Sequence, residues 1–267
     1  MRKLVLIFLI FLIPPFLKAQ ETVKNEYIQF VAHRGASYLA PENTLASIQL
    51  AWELGADAAE CDIMLSADKR VILFHDKNTQ KLTGQNFVVN ESPWEQLKPL
   101  VVIPRESNRP EYQHESIPLL KDVLATIPED RMLVIEIKTG PEILPHLQEI
   151  IDRHWKQGSI GFIAFDFETI RLAKERYPEI PCYYLSMFKS DLNKHMTAIQ
   201  ESGLEGVDLR HQLIDKKLMD RCREAVLDVW CWTVNDPQTA QKMKELGVSA
   251  ITTDRPAWLK QRLLAVK

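Results

Sequence analysis

Eight short β-rich runs alternate with helical stretches along this chain, and that alternation leaves few architectures open. The runs span Ile28 to His33, Asp57 to Ile63, Met132 to Ile137, Ile160 to Phe165, Cys182 to Leu185, Gly206 to Leu209, Val229 to Val234 and Ala250 to Thr253. Between them, apolar residues recur at helical spacing behind recognisable start signals: Asn43-Thr44 before Leu45 to Leu54, Asp166 before Ile170 to Tyr177, and Asn235-Asp236-Pro237 before Ala240 to Leu246. Gly55, Gly203 and Gly247 fall just past helix ends, where a left-handed residue is wanted. Eight strand-helix units in roughly 240 residues predict an α/β fold, a closed TIM-type (β/α)8 barrel with its functional residues at the C-terminal ends of the strands. An open doubly wound sheet is the alternative, but no Gly-rich phosphate loop follows the first run.

One β run breaks the alternation. Val71 to His75 lies too close behind the second strand for a parallel crossover, which needs about a dozen residues. Ile63 to Phe74 therefore reads as an extra hairpin turning near Asp68-Lys69. With a two-residue turn, His75 falls opposite Asp62 on the same face. Residues 77–116, carrying Pro93, Pro99, Pro104 and Pro110 with no steady period, are too long for a plain connection. They predict an insertion before the third barrel strand, folded over the mouth; a mobile surface loop is the simpler reading.

The N-terminus reads as a targeting segment. Arg2-Lys3 precede an apolar run from Leu4 to Ile13, then Pro14-Pro15 and a cleavage region near Ala19-Gln20, the pattern of a secretory signal peptide over residues 1–20. The uncharged stretch from Leu4 to Leu17 is fourteen residues long with two prolines, whereas a spanning helix needs about 20 apolar residues. The expectation is one exported domain over residues 21–267, periplasmic or secreted, with no stable membrane span. Losing Arg2, Lys3 and Lys18 leaves 30 basic against 36 acidic side chains, so the formal charge moves from −3 to −6. A mildly acidic chain is a poor partner for nucleic acid, which is met by basic patches, and a small-molecule substrate is expected instead. Cys61, Cys182, Cys222 and Cys231 lack the paired spacing of a zinc site. Export would permit a Cys222–Cys231 bridge, but buried free thiols are the favoured reading.

Charged residues cluster at predicted strand ends. Glu60 and Asp62 are two apart in a strand and project from one face, and Glu136 and Lys138 repeat the arrangement at the third barrel strand. Inward-facing charges are costly unless paired or bound to a cation. Three converging carboxylates suit one hard divalent ion, Ca²⁺ or Mg²⁺; ion pairing across a barrel top is the bland alternative. His33-Arg34-Gly35 closes the first strand, joining a group that titrates near neutrality to a fork that fits phosphate oxygens, and His75-Asp76 supplies a second histidine.

These residues carry a resemblance. His33-Arg34-Gly35, Pro41-Glu42-Asn43-Thr44, Glu60-x-Asp62, His75-Asp76, Glu136-x-Lys138, Trp232-Thr233-Val234-Asn235 and Thr253-Asp254-x-Pro256 occur in the order and spacing of the glycerophosphodiester phosphodiesterase family, over about Ile28 to Leu263. The resemblance implies hydrolysis of glycerophosphodiesters to sn-glycerol 3-phosphate and an alcohol, within phospholipid and glycerol metabolism. It gives His33 and His75 the acid/base roles, Arg34 and Lys138 phosphate binding, Trp232 a place in the pocket wall, and Glu60, Asp62 and Glu136 the metal. Ala164-Phe165-Asp166 departs from the serine that many members have before the phenylalanine. Two other readings stay open: a phospholipase D-like or phosphoinositide phosphodiesterase entered by intact lipid through Phe87, Val88, Val89 and Trp94, and a non-enzymatic barrel that binds glycerophosphodiesters. The acid/base roles are not divided between the histidines, and oligomeric state is open.

Overall fold

The computed structural model describes residues 27–265; the expected signal peptide lies outside the described residues. Eight parallel strands close into a barrel: β1 (Gln29–Ala32), β2 (Ala58–Leu65), β4 (Met132–Ile137), β5 (Ser159–Ala164), β6 (Cys182–Ser186), β7 (Gly206–Arg210), β8 (Asp228–Trp232) and β9 (Ala250–Thr253). Each pairs with its neighbours in parallel, and β1 closes the circle by pairing with both β9 and β2. The short strand β3 (Val71–Leu73) is antiparallel to β2.

The helix starts follow the local chemistry. Helix α1 (Leu45–Glu53) is capped by Thr44, whose hydroxyl accepts from the Ser47 amide while Ser47 returns the bond. Short helices α2 (Gln80–Thr83), α3 (Trp94–Leu97) and α4 (Leu120–Leu124) precede β4. Then α5 (Leu144–His154), α6 (Phe167–Arg176), α7 (Lys189–Glu201), α8 (Lys216–Glu224), α9 (Pro237–Leu246) and α10 (Pro256–Ala265) follow β4 to β9 in turn. Asp166 and Asp236 cap α6 and α9.

Alternation along the strands divides the apolar residues into two sets. Val31, Ala58, Val134, Ile163, Tyr183, Leu185, Trp230 and Ala250 fill the barrel, with the Tyr183 and Trp230 rings stacked at 4.0 Å. The opposite face of each strand packs on the surrounding helices. The interior is therefore a plug, and open space is left only at the rim. Glu60 and Asp62 continue the inward series begun by Ala58, whereas Ala59, Cys61 and Ile63 face the helices. Cys61, Cys182, Cys222 and Cys231 are all buried and unpaired. No described helix is long and apolar enough to cross a membrane.

The extra hairpin turns one residue differently from the expectation. Ala67, Asp68 and Lys69 form a three-residue loop with Lys69 at φ 64°, closed by the Ser66 amide donating to the Arg70 carbonyl at 2.9 Å. Partners therefore shift, and Phe74, not His75, faces Asp62, its amide donating to the Asp62 carbonyl at 3.0 Å. Such a slip would turn His75 away from the carboxylates if the ladder continued. It does not continue: β3 ends at Leu73, and His75 stands beyond it, close enough for its charge to bear on Asp62.

The segment between β3 and β4 has a small core of its own. Val89, Leu97, Leu100, Val102 and Ile117 pack with Met64, Ile72 and Phe74 of the hairpin. Phe87 and Trp94 lean on this cluster and Val89 is fully buried, leaving only Val88 exposed of the four residues expected to form a lipid entry.

Candidate active site

The site begins where β1 ends. Arg34 (φ 55°) and Gly35 (φ 76°) both adopt the left-handed region, and a Cβ on Gly35 would lie 2.4 Å from the Ser47 backbone. Only glycine fits there. This turn aims the Arg34 amide at Glu60 Oε2, 2.8 Å away. The Arg34 guanidinium reaches Glu42 Oε1 at 2.5 Å and Asp62 Oδ2 at 3.2 Å.

Glu60, Asp62 and Glu136 offer oxygens that all lie within 4.8 Å of one another. Glu60 Oε1 and Asp62 Oδ1 are buried without a hydrogen-bond partner. Burial, then the Asp62 and Glu136 charges, pushes Glu60 well above the usual carboxylate range. Burial and Asp62 likewise push Glu136 to about 7, against the pull of Lys138. Burial also works to raise Asp62, but Arg34, Lys138, His75 and the Asn43 amide hold it below its ordinary value. Lys138 donates to Glu136 at 2.7 Å and lies 3.6 Å from Asp62; burial opposes its charge, yet these carboxylates raise its pKa. Orphaned, mutually repelling hard oxygens are what a divalent cation satisfies, so the three carboxylates fit one.

Each histidine is held through Nδ1 by its own carboxylate, leaving Nε2 for other work. His33 Nδ1 lies 2.7 Å from Asp254 Oδ1. Burial would raise Asp254, but His33, the Asn235 amide at 2.6 Å and the Arg105 charge hold it at about 2. His75 Nδ1 lies 2.6 Å from Asp76 Oδ1. Burial first, then the Arg34 and Lys138 charges, lowers His75 below its ordinary value, with Asp62 and Asp76 pulling the other way.

Trp232 is half-buried, donates from its indole to the Asp208 carbonyl at 3.2 Å and meets Phe165 edge-on at 5.6 Å. Phe165 in turn lies 5.7 Å beneath the Lys138 ammonium. All eight residues singled out in the sequence thus belong to one rim. Asn43, Glu42, Asp254 and Asn235 stood in the quoted motifs without a role, and here they brace Asp62, Arg34 and His33. Arg105, from the insertion, had no sequence signal.

Residues 33–258 match the model of the glycerophosphoryl diester phosphodiesterase family. A glycerophosphodiester phosphodiesterase of Caldanaerobacter subterraneus subsp. tengcongensis is 28% identical, over 86% of this chain and 95% of its own. A human lysophospholipase D is 26% identical over 93% of this chain and 90% of its own. The solved structure of an Oleispira antarctica phosphodiesterase, in complex with the product sn-glycerol-3-phosphate, superposes with a TM-score of 0.81 at 28% identity, covering 90% of this chain and 98% of that one.

Proposed function

Because this chain belongs to the glycerophosphoryl diester phosphodiesterase family, we propose that its barrel rim works as a metal-assisted phosphodiesterase site, with Glu60, Asp62 and Glu136 as the ligands of one Ca²⁺ or Mg²⁺. The chain hydrolyses glycerophosphodiesters, releasing sn-glycerol 3-phosphate and an alcohol. One observation carries the metal reading: Glu60 Oε1 and Asp62 Oδ1 are buried without a hydrogen-bond partner, in a cluster where Glu60, Asp62 and Glu136 each offer an oxygen within 4.8 Å of the others. When bound, the cation supplies positive charge against a phosphoryl oxygen.

The chain's own residues do the rest. Arg34 and Lys138 flank the carboxylates and present cations to the equatorial oxygens where charge builds. His75, depressed by burial, starts neutral and takes the proton of the nucleophile at Nε2. That nucleophile is water, or the neighbouring glycerol hydroxyl, which closes a cyclic phosphate that water then opens to sn-glycerol 3-phosphate. As the new P–O bond forms, the old one breaks and the leaving alkoxide takes a proton from His33, which Asp254 orients through Nδ1. Trp232 and Phe165 form the apolar wall beside Lys138.

A second reading, lysophospholipids as additional substrates, has its own support. Phe165, Met187 and Phe188 are large apolar side chains left exposed where the neighbouring strands β5 and β6 end. The test is a panel of glycerophosphocholine, glycerophosphoethanolamine and lysophosphatidylcholine, assayed on metal-stripped enzyme and again with Ca²⁺ or Mg²⁺ restored. Undiminished turnover without metal overturns the ligand assignment; turnover of the lysolipid alongside the glycerophosphodiesters supports the second reading, and its absence refutes it. Residues 1–20 further support export with cleavage near Gln20 or Glu21, which an intact mass retaining Met1 would refute.

A further inference from the structure

We propose that Arg105, contributed by the insertion, is a substrate-binding residue that grips the phosphate from the His33 side of the mouth. This rests on the phosphodiesterase reading above and adds a third cation to Arg34 and Lys138.

Arg105 is placed by a turn clamped to the barrel. The Asn108 side chain accepts from the Arg105 amide at 2.8 Å, and the Asn108 backbone amide donates to the Arg105 carbonyl at 2.9 Å. The Asn108 carboxamide donates to the carbonyls of Ser37 and Tyr38, both at 3.2 Å, and the Arg109 amide donates to the Leu39 carbonyl at 2.8 Å. The insertion is thereby pinned across the loop that follows β1, the loop bearing His33 and Arg34.

From that anchorage the guanidinium reaches inward. Its Nη2 donates to Glu42 Oε2, while Arg34 Nη1 holds Glu42 Oε1. Glu42 is buried and its one carboxylate is shared by two guanidinium groups, of which Arg34 is also paired with Asp62 and Arg105 with no second carboxylate within ion-pair distance among the described residues. Arg105 is also close enough to Asp254, the partner of His33, for its charge to help keep that carboxylate ionised. The Arg105 guanidinium therefore bears on both the Arg34 and the His33 sides of the site.

Arg105 is also the least committed of the three cations. Arg34 is engaged by Glu42 and Asp62, and Lys138 by Glu136 and Asp62, with side chains 16% and 15% exposed. The Arg105 side chain is 47% exposed, and Glu42 is its one side-chain acceptor among the described residues. A guanidinium has five donors in a planar fork. The edge not turned to Glu42 is free for an anionic phosphate oxygen. The dianionic phosphomonoester product should feel this charge more than the monoanionic diester does.

The experiment compares metal-loaded wild type with Arg105→Met and Arg105→Gln, reading kcat and KM on glycerophosphocholine, competitive inhibition by sn-glycerol 3-phosphate, and the thermal midpoint. Loss of a charge-assisted hydrogen bond should raise KM and the inhibition constant of the product on the order of tenfold, the product constant more, with kcat within about threefold. Arg105→Gln can still donate to Glu42 and should keep the wild-type midpoint while showing the same loss. If either folded variant keeps both constants within twofold of wild type, Arg105 only pins the insertion and the proposal is wrong. An inactive wild type would instead count against the phosphodiesterase reading, so the two failures are distinct.

Discussion

The Asn43 side chain and Asp62 exchange two hydrogen bonds: Asn43 Nδ2 donates to Asp62 Oδ2 at 2.8 Å, and the Asp62 amide donates to Asn43 Oδ1 at 3.0 Å. Asn43 makes this reach from a left-handed backbone, φ 56°, which asparagine tolerates better than most residues. A side chain before α1 thus fixes the direction of a carboxylate on β2. Asn43→Gly keeps that backbone accessible and removes the side chain that braces Asp62. Loss of an outer partner of a metal ligand typically costs 10- to 100-fold in affinity or activity, and calorimetric titration with Ca²⁺ or Mg²⁺ should read a loss of that order. Unchanged affinity would show that Asp62 needs no brace.

The carboxylate cluster predicts the pH dependence of metal binding. Glu136, held at about 7 in the metal-free protein, carries below that pH a proton that the cation must displace, so affinity should weaken as pH falls through 7. Glu60→Gln should abolish most activity. Glu60 is raised when folded, so its protonated carboxyl holds a stability contribution at low pH that is lost as pH rises through its folded value. The metal-free thermal midpoint of Glu60→Gln should therefore exceed wild type by more at pH 8 than at pH 5. A uniformly lower midpoint would contradict this.

His33→Ala and His75→Ala should each lower kcat by about 10²- to 10⁴-fold, and the double variant should lose less than the product of the two. With His33 as acid, its loss should matter far less on a substrate that releases p-nitrophenolate, which leaves without a proton, while loss of His75 should hurt both substrates alike. The opposite pattern would exchange the roles.

Asp76→Asn tests the base through its pH profile. The Asp76 carboxylate raises His75 against the lowering by burial, so its removal should move the acid limb of kcat/KM to lower pH. A limb that stays in place or moves upward would assign it to another group.

Much of this was legible because inward and outward positions alternate strictly. Glu60 and Asp62 declare their common face by spacing alone, and Ala58 below them confirms which face it is. The strand ends shifted by a residue or two, as at β8, which closes at Trp232 instead of Val234. The hairpin register failed because a left-handed Lys69 signals nothing in sequence, where a glycine would have announced the loop. Asn43 was legible as a helix-start residue but not as a brace, since its partner is set by the meeting of α1 and β2. Arg105 was invisible for the same reason: its partner Glu42 lies 63 residues away.

His33 and Asp254 lie 221 residues apart, one at the end of the first strand and the other just past the last. Their bond forms only across the seam where β1 meets β9. A nascent chain emerging N-terminus first carries both histidines and all three carboxylates long before that seam can shut, yet His33 has nothing to orient it until the final strand arrives. On the roles proposed for these residues, competence for hydrolysis is deferred to the completion of synthesis, and a ribosome-bound or truncated fragment ending before β9 would hold the site residues without the partner that aligns His33.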